Sequence, residues 1–161
     1  MTLPFNLDHA RTTLSDAVTG ADDGELYVEQ TRSESFVFDD GRLKSAAFDT
    51  GQGFGLRVVA GEATGYAHGS EMTDDAIKRA AKTASAAKEG YSGTLAESPR
   101  PINRRLYDPI DPTDEPDFLS KSNLLAEIDA YARARDPRVV QVSCSMAGSH
   151  KLVTILRPDG A

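Results

Sequence analysis

The fold of this chain is decided by residues 51–69, which read GQGFGLRVVAGEATGYAHG. Gly61-Glu62 fits a two-residue type II′ turn, because that turn favours glycine at its first central position. The turn sets Ala60 opposite Ala63 and fixes the pairing outward along both strands. The stretch therefore predicts an antiparallel hairpin of defined register.

This register divides the hairpin into two faces of different chemistry. One face is apolar and flat, and it carries Leu56, Val58, Ala60, Ala63, Gly65 and Ala67. The other face sets Arg57 beside Tyr66 and Gly55 beside His68. A buried guanidinium would need a dedicated partner, so exposure is the less costly arrangement. We predict that Gly55, Arg57, Tyr66 and His68 contact a substrate or a partner. The competing interpretation is that Arg57 only pairs with a neighbouring Glu on a solvated face.

A long helix is predicted over about Asp74 to Lys88. Thr73 is a good N-cap, and Gly90 is a typical terminator. The inward stripe of this helix consists of Ala76, Ile77, Ala80, Ala81, Ala84 and Ala87. These mostly small side chains would let the helix lie close to the apolar face of the hairpin.

A second long helix is predicted over about Asp117 to Arg135, ending before Asp136-Pro137. Its predicted buried stripe is Leu124, Leu125, Ile128, Tyr131 and Ala132. A short amphipathic helix over residues 6–18 precedes both and is closed by Gly20.

Two further hairpins are expected. Asp40-Gly41 is a strong turn between a strand from Glu25 and a returning strand over about 42–48. The glycines at 51, 53 and 55 then indicate a tight turn between strands. They do not indicate a phosphate loop, since no Gly-Lys-Ser/Thr motif and no helix follows them.

The last hairpin is predicted near the end of the sequence. Residues 138–147 alternate apolar and polar side chains, Gly148-Ser149 indicates a turn, and residues 151–156 form the returning strand. Between the two long helices, residues 90–116 hold five of the eight prolines and favour a loop. The fold class expected is α+β: a mainly antiparallel sheet of hairpins, two long helices packed on one face and a short N-terminal helix.

Composition excludes several classes of protein. A net charge of −7 argues against direct binding of nucleic acid, which rewards a concentrated basic face. No run of about 20 apolar residues predicts a membrane span, and the N-terminus lacks the pattern of a secretory signal, so a cytoplasmic location is expected. The single cysteine, Cys144, is expected to be a small buried thiol.

No catalytic or metal-binding motif stands out. His9, His68 and His150 are far apart in sequence, and no pair of histidines occurs on a predicted helix at ligand spacing. We therefore expect no catalytic residue, no metal site and no cofactor within this chain.

Three stretches of the sequence form a recognisable set: Tyr27-Val-Glu-Gln, the hairpin of residues 51–67 and the Ala-rich helix that follows it. Through these stretches the chain resembles the N-terminal domain of the TldD/PmbA family of metallopeptidases, also described as modulators of DNA gyrase. The form Gln-Gly-x-Gly-x-Arg, followed by Gly-Glu-x-Thr-Gly-Tyr-Ala, is similar to the TldD branch. The segments Val139-Val-Gln-Val-Ser and Ile155-Leu-Arg-Pro-Asp-Gly fit the same family.

The resemblance implies that the full protein is a zinc-dependent peptidase whose metal motif, His-Glu-x-x-x-His, lies downstream of this segment. Residues 1–161 would then be the N-terminal α+β domain of a longer protein. The resemblance also implies a chamber for peptides or unfolded polypeptide, enclosed with a PmbA/TldE-type or identical subunit. The alternative function is a non-catalytic protein-interaction module of the gyrase-modulator type.

Overall fold

The computed structural model describes residues 5–97, 106 and 110–158. Its elements in chain order are α1 (Leu7–Val18), β1 (Asp23–Asp39), β2 (Arg42–Ala60), β3 (Ala63–Gly69), α2 (Asp74–Ala84), α3 (Phe118–Arg135) and β4 (Ser143–Leu156). The four strands form one sheet of order β3-β2-β1-β4. The α+β prediction, with an antiparallel sheet and three α-helices, is confirmed. Helix α2 is longer than the 12-residue α1 only when the 3-10 helix Ser85–Lys88 that follows it is included.

The chain divides into two compact units. The first comprises residues 1–30, 52–105 and 152–161, and the second comprises residues 31–51 and 106–151. Strands β1, β2 and β4 each contribute residues to both units.

The predicted register of the β2–β3 hairpin is confirmed. Ala60 pairs with Ala63, Arg57 with Tyr66 and Gly55 with His68. Gly61 has a φ of 58°, as the first central residue of a type II′ turn requires. The first hairpin turn is confirmed as well, because Asp40 and Gly41 have φ values of 51° and 75°.

Helix α2 lies against this hairpin as predicted. Ile77 is 1% exposed, and the helix packs in a cluster with Leu56 and Val58, which are fully buried. Gly65 permits the close approach, since a Cβ there would overlap the backbone carbonyl of Ala84. The predicted last turn of this helix, Ser85–Lys88, is a 3-10 helix, a common ending for an α-helix.

The predicted turn at Gly51, Gly53 and Gly55 is wrong, because β2 runs through all three as one strand. None of these glycines has a positive φ. Each lies where a neighbouring group comes close: a Cβ on Gly53 would lie 3.2 Å from the carbonyl oxygen of Gly69, and one on Gly51 would lie 2.7 Å from Thr31 Oγ1. Close approach, and not chain reversal, explains these glycines.

The predicted turn at Gly148-Ser149 is also wrong, because β4 is continuous from Ser143 to Leu156. The alternation of burial passes through Gly148 unbroken. A Cβ on this glycine would lie 3.2 Å from Glu34 Oε1, so the missing side chain leaves space for a buried carboxylate.

Helix α3 has the predicted bounds but a different buried face. The side chains of Leu124, Ile128 and Tyr131 are 48%, 43% and 61% exposed, whereas Lys121 and Asp129 are buried beside Leu125. The helix is oriented by ion pairs as well as by apolar contacts, and these pairs explain the error in the predicted stripe.

The first of these ion pairs joins Lys121 to Glu34. The two side chains are 5% and 4% exposed, and Nζ lies 2.7 Å from Oε1. Lys121 also donates to the carbonyl oxygens of Pro112 and Thr113 at 3.4 and 3.2 Å. The second pair joins Asp129 to Nε of Arg133, and Nη2 of the same guanidinium contacts Asp40.

The small core of the second unit surrounds Leu125. Its other buried members are Phe36 and Phe38, with Leu43, Cys144 and Met146 packed against them. The prediction of a buried Cys144 is wrong in degree, because this thiol is half-buried, with Sγ 3.7 Å from the carbonyl oxygen of Leu125.

The predicted loop at 90–116 holds no helix or strand in its described part, residues 90–97, 106 and 110–116. Residues 98–105 and 107–109 lie outside the described residues.

Candidate functional site

The structure brings Tyr66 and His68 together on one side of β3. Their ring centroids lie 5.8 Å apart, and the Tyr66 side chain is 62% exposed. Gly55 is buried beneath Tyr66, because a Cβ at this position would lie 2.5 Å from the Tyr66 hydroxyl. Glycine at position 55 therefore lets the phenol ring lie flat on β2.

Arg57 belongs to a network of ion pairs on the same face. Its Nη2 lies 3.1 Å from Asp23 Oδ2, and its Nε lies 3.3 Å from Glu25 Oε1. Arg157 meets the same two acids, at 2.8 Å from Asp23 and 3.8 Å from Glu25. The pairing expected by the competing interpretation is therefore present, while contact of Arg57 with a substrate or partner stays a prediction.

A groove of about 460 Å³ lies between β3 and α2. It is lined by Phe54, Tyr66, Ala67, His68, Gly69, Ser70, Glu71, Ala76, Arg79, Ala80 and Thr83. Tyr66 and His68, two of the four predicted site residues, are among them, whereas Gly55 and Arg57 are not. The groove is thus the concave part of the candidate site.

The helix side of the groove was missed by sequence reasoning. Arg79 and Thr83 are spaced by four residues on α2, next to the inward positions Ala76 and Ala80. This spacing puts all four on one side of the helix, which is the signal that could have found them. Arg79 Nη2 lies 3.0 Å from Glu71 Oε2, so this guanidinium of the lining is paired with an acid.

The turn beside the site is held by Asp22. This carboxylate accepts a hydrogen bond from the backbone N–H of Gly61 at 2.7 Å and another from the Tyr91 hydroxyl at 2.8 Å. These bonds lower the pKa of Asp22 below its ordinary value of 3.8, and the bond to Asp22 raises the pKa of Tyr91 above 10.0. The contacts fix the β2–β3 turn to the chain that follows α2.

The described residues do not fit a zinc site. Within residues 5–97, 106 and 110–158, no three His, Cys, Asp or Glu side chains converge as metal ligands. The three histidines have separate surroundings: His9 lies 3.1 Å from Asp74, His68 is beside Tyr66, and His150 lies 3.4 Å from Asp111. No helix among the described residues is long and apolar enough to cross a membrane.

The sequence matches one family model and several proteins named metalloprotease TldD homologue. Residues 24–88 match the profile of PmbA/TldA metallopeptidase domain 1. The metalloprotease TldD homologue of Buchnera aphidicola (subspecies Schizaphis graminum) is 31% identical over 143 residues, covering 86% of this chain and 29% of that protein. The metalloprotease TldD homologue of Haemophilus influenzae is 31% identical over 144 residues, covering 86% of this chain and 30% of that protein. The chain thus spans less than a third of the length of either relative.

Solved structures share the fold. TldE from Thermococcus kodakarensis superposes with a TM-score of 0.63 at 16% identity, over 94% of this chain and 35% of that one. A putative modulator of DNA gyrase from Bacteroides thetaiotaomicron superposes with a TM-score of 0.69 at 13% identity, over 96% of this chain and 37% of that one. The domain match and the relatives named TldD identify residues 24–88 of this chain as domain 1 of the TldD/PmbA family.

Proposed function

We propose that this chain is the N-terminal, substrate-enclosing and assembly domain of a TldD-type zinc metallopeptidase that cleaves peptides or unfolded polypeptides. The proposal rests on how much of this chain, and how little of its relatives, the sequence matches cover. Relatives named metalloprotease TldD homologue match 86% of this chain, yet the match occupies only 29–30% of their own length. The remaining length of such a protein is ample for a separate catalytic domain.

In this proposal, the chain supplies contacts and shape, and the chemistry belongs to residues outside it. The zinc motif would lie downstream of this segment. A zinc ion there would polarise a water molecule that attacks the peptide carbonyl. Residues 1–161 would enclose the polypeptide and hold the subunits together.

The candidate contact surface consists of the groove and the adjoining face of β3. Tyr66 offers an exposed ring with a hydroxyl, and aromatic side chains of this kind are enriched at interfaces. The second subunit in this proposal is of the PmbA/TldE type or a second copy of the same protein. A cytoplasmic location belongs to the same proposal.

An interaction module without peptidase activity is the alternative function. It is favoured by the exposed apolar flank of α3 at Leu124, Ile128 and Tyr131, and by a related fold in a protein named as a putative gyrase modulator. Side chains of this size and exposure suit a protein partner.

The parent reading frame separates the two functions. A metal-binding His-Glu-x-x-x-His segment after Ala161, together with hydrolysis of an unfolded protein that stops when the metal is chelated, is expected for the peptidase. A parent protein that lacks the segment and leaves the unfolded protein intact would overturn the peptidase proposal in favour of the interaction module.

A further inference from the structure

Strand β3 is an edge of the sheet. In the order β3-β2-β1-β4 it pairs with β2 on one side, and no described strand pairs with its other side. Because successive backbone groups of a strand point to alternate sides, every second residue of Ala63–Gly69 directs its N–H and C=O away from β2. These groups are the hydrogen-bonding partners that an additional strand requires.

The sequence of this edge lacks the side chains that usually prevent pairing. Natural edge strands are commonly blunted by lysine, proline or an inward-pointing charge. Residues 63–69 read ATGYAHG and contain no lysine, proline or carboxylate. Ala63, Gly65, Ala67 and Gly69 have small side chains or none, so these four residues do not obstruct the edge. The space above Gly65 is already taken by α2, because a Cβ there would lie 1.9 Å from the carbonyl oxygen of Ala84.

Helix α2 gives the edge a wall. Ala80 and Thr83 of α2 line the same groove as Ala67 and Gly69 of β3. The groove follows residues 66–69 of β3, a length of roughly 13 Å, which is room for an extended segment of about four residues. A groove between an edge strand and a helix is a geometry in which extended peptides bind by adding a strand.

We propose that the groove between β3 and α2 binds an extended segment of unfolded polypeptide by β-strand addition. The choice of polypeptide as the ligand rests on the proposed function, whereas the mode of binding rests on the edge and the groove. Main-chain hydrogen bonds to β3 supply the affinity. Since Arg79 is already paired with Glu71, the groove selects weakly by charge, as a site for varied sequences should.

A strand from a second copy fits this groove less well. Antiparallel pairing of two β3 edges would place both α2 helices on the same face of the joined sheet. Each helix would then compete for the space above the joined edges, where Arg79 and Thr83 line the groove. A single extended segment encounters no such obstacle.

The test uses a fluorescein-labelled peptide of alternating Thr and Val flanked by lysines, whose charge suits a chain of net charge −7. A peptide with proline at every second position is the ligand control, because proline cannot donate a backbone hydrogen bond. Thr83→Trp blocks the groove from α2. Thr12→Trp is the matched control, since both threonines are exposed and both hydroxyls donate to the carbonyl four residues earlier.

Fluorescence anisotropy and amide hydrogen exchange then give two independent readouts. We expect saturable binding that weakens about tenfold or more with Thr83→Trp and with the proline peptide, and that is unchanged with Thr12→Trp. Bound peptide should protect every second amide within Ala63–Gly69, which contact through side chains alone would not do.

Three results would overturn the inference. They are binding unaffected by Thr83→Trp, protection located elsewhere in the chain, and alternate protection of β3 that grows with protein concentration without peptide. The last would identify a second copy as the occupant. If this chain binds the peptide but the parent protein has no peptidase activity, the proposed function is refuted and the inference stands. If the parent protein is an active peptidase but no peptide binds at β3, the inference is refuted and the proposed function stands.

Discussion

Removal of the Lys121 ammonium should strongly destabilise the chain. The ammonium lies 2.7 Å from Glu34 Oε1, and both side chains are at most 5% exposed. Lys121→Met keeps most of the aliphatic stem but leaves the carboxylate buried without a counter-charge. Breaking a buried ion pair in this way costs about 3–5 kcal/mol.

For a chain of this length, the loss of unfolding free energy corresponds to a measurable decrease in melting temperature. A change of 1 kcal/mol shifts Tm by about 2–4 °C in a domain of this length, so Lys121→Met should lower Tm by roughly 6–20 °C. The double variant Glu34→Leu/Lys121→Met replaces the pair by apolar side chains and should recover most of the loss. A double-mutant cycle should therefore give a coupling free energy of about 3 kcal/mol or more between the two positions.

Urea unfolding followed by circular dichroism measures these free energies directly. Lys82→Met is the matched control, because Lys82 is also a helical lysine but its side chain is exposed on α2. Its loss should cost less than about 1 kcal/mol. A Lys121→Met protein as stable as the Lys82→Met protein would refute the assignment of a buried, orienting ion pair.

Three further predictions concern the first unit. Ala80→Leu should overpack the contact of α2 with the hairpin and cost roughly 1–3 kcal/mol in a thermal melt, and an unchanged Tm would contradict the packing. The pKa of Asp22 is lower in the folded than in the unfolded chain, so its carboxylate stabilises the fold above the unfolded pKa. This contribution is lost as the pH falls through the folded pKa. The stability difference between wild type and Asp22→Asn should therefore shrink below about pH 4. A difference independent of pH would show that Asp22 does not act through its charge. Arg57→Ala should reduce peptide turnover or subunit association of the parent protein while leaving thermal stability nearly intact. Normal turnover and assembly would eliminate a contact role, and a collapse in stability would make the Asp23 and Glu25 pairs structural.

The β2–β3 hairpin is predictable from the sequence because local turn chemistry and alternation agree there. Gly61 supplies the positive φ, and the apolar residues Leu56 and Val58 share a parity that fixes which face is buried. The same register identifies Tyr66 and His68 as neighbours without knowledge of the groove. The groove itself depends on where α2 lies relative to the edge, which no local pattern specifies.

The errors occur where a residue has a role in tertiary contacts. The turn interpretation fails at Gly53 and Gly148, because each is a glycine whose Cβ would crowd a neighbouring atom. The sequence alone does not distinguish these two uses of glycine. Burial alternates without a break from Cys144 to Leu156, but the sequence carries this signal only in part, since Val153 and Ile155 are apolar at outward positions.

The buried face of α3 could not be predicted from apolar periodicity. Lys121 and Asp129 would be assigned to solvent by any hydrophobic pattern, and each is buried because a charged partner compensates it. Glu34 lies on β1, far from Lys121 in sequence, so only the folded chain brings the pair together. Burial of these charges leaves Ile128 and Tyr131 partly exposed.

One measurement tests the central claim most directly: hydrolysis of two substrates by the parent protein carrying Thr83→Trp or its control Thr12→Trp. One substrate is a long unfolded polypeptide, and the other is a peptide too short to reach from a distant catalytic centre to the groove. If this domain encloses polypeptide substrate at β3 and α2, Thr83→Trp should slow turnover of the long substrate about tenfold while leaving the short one unchanged. Equal turnover of the long substrate by the two variants would contradict the account.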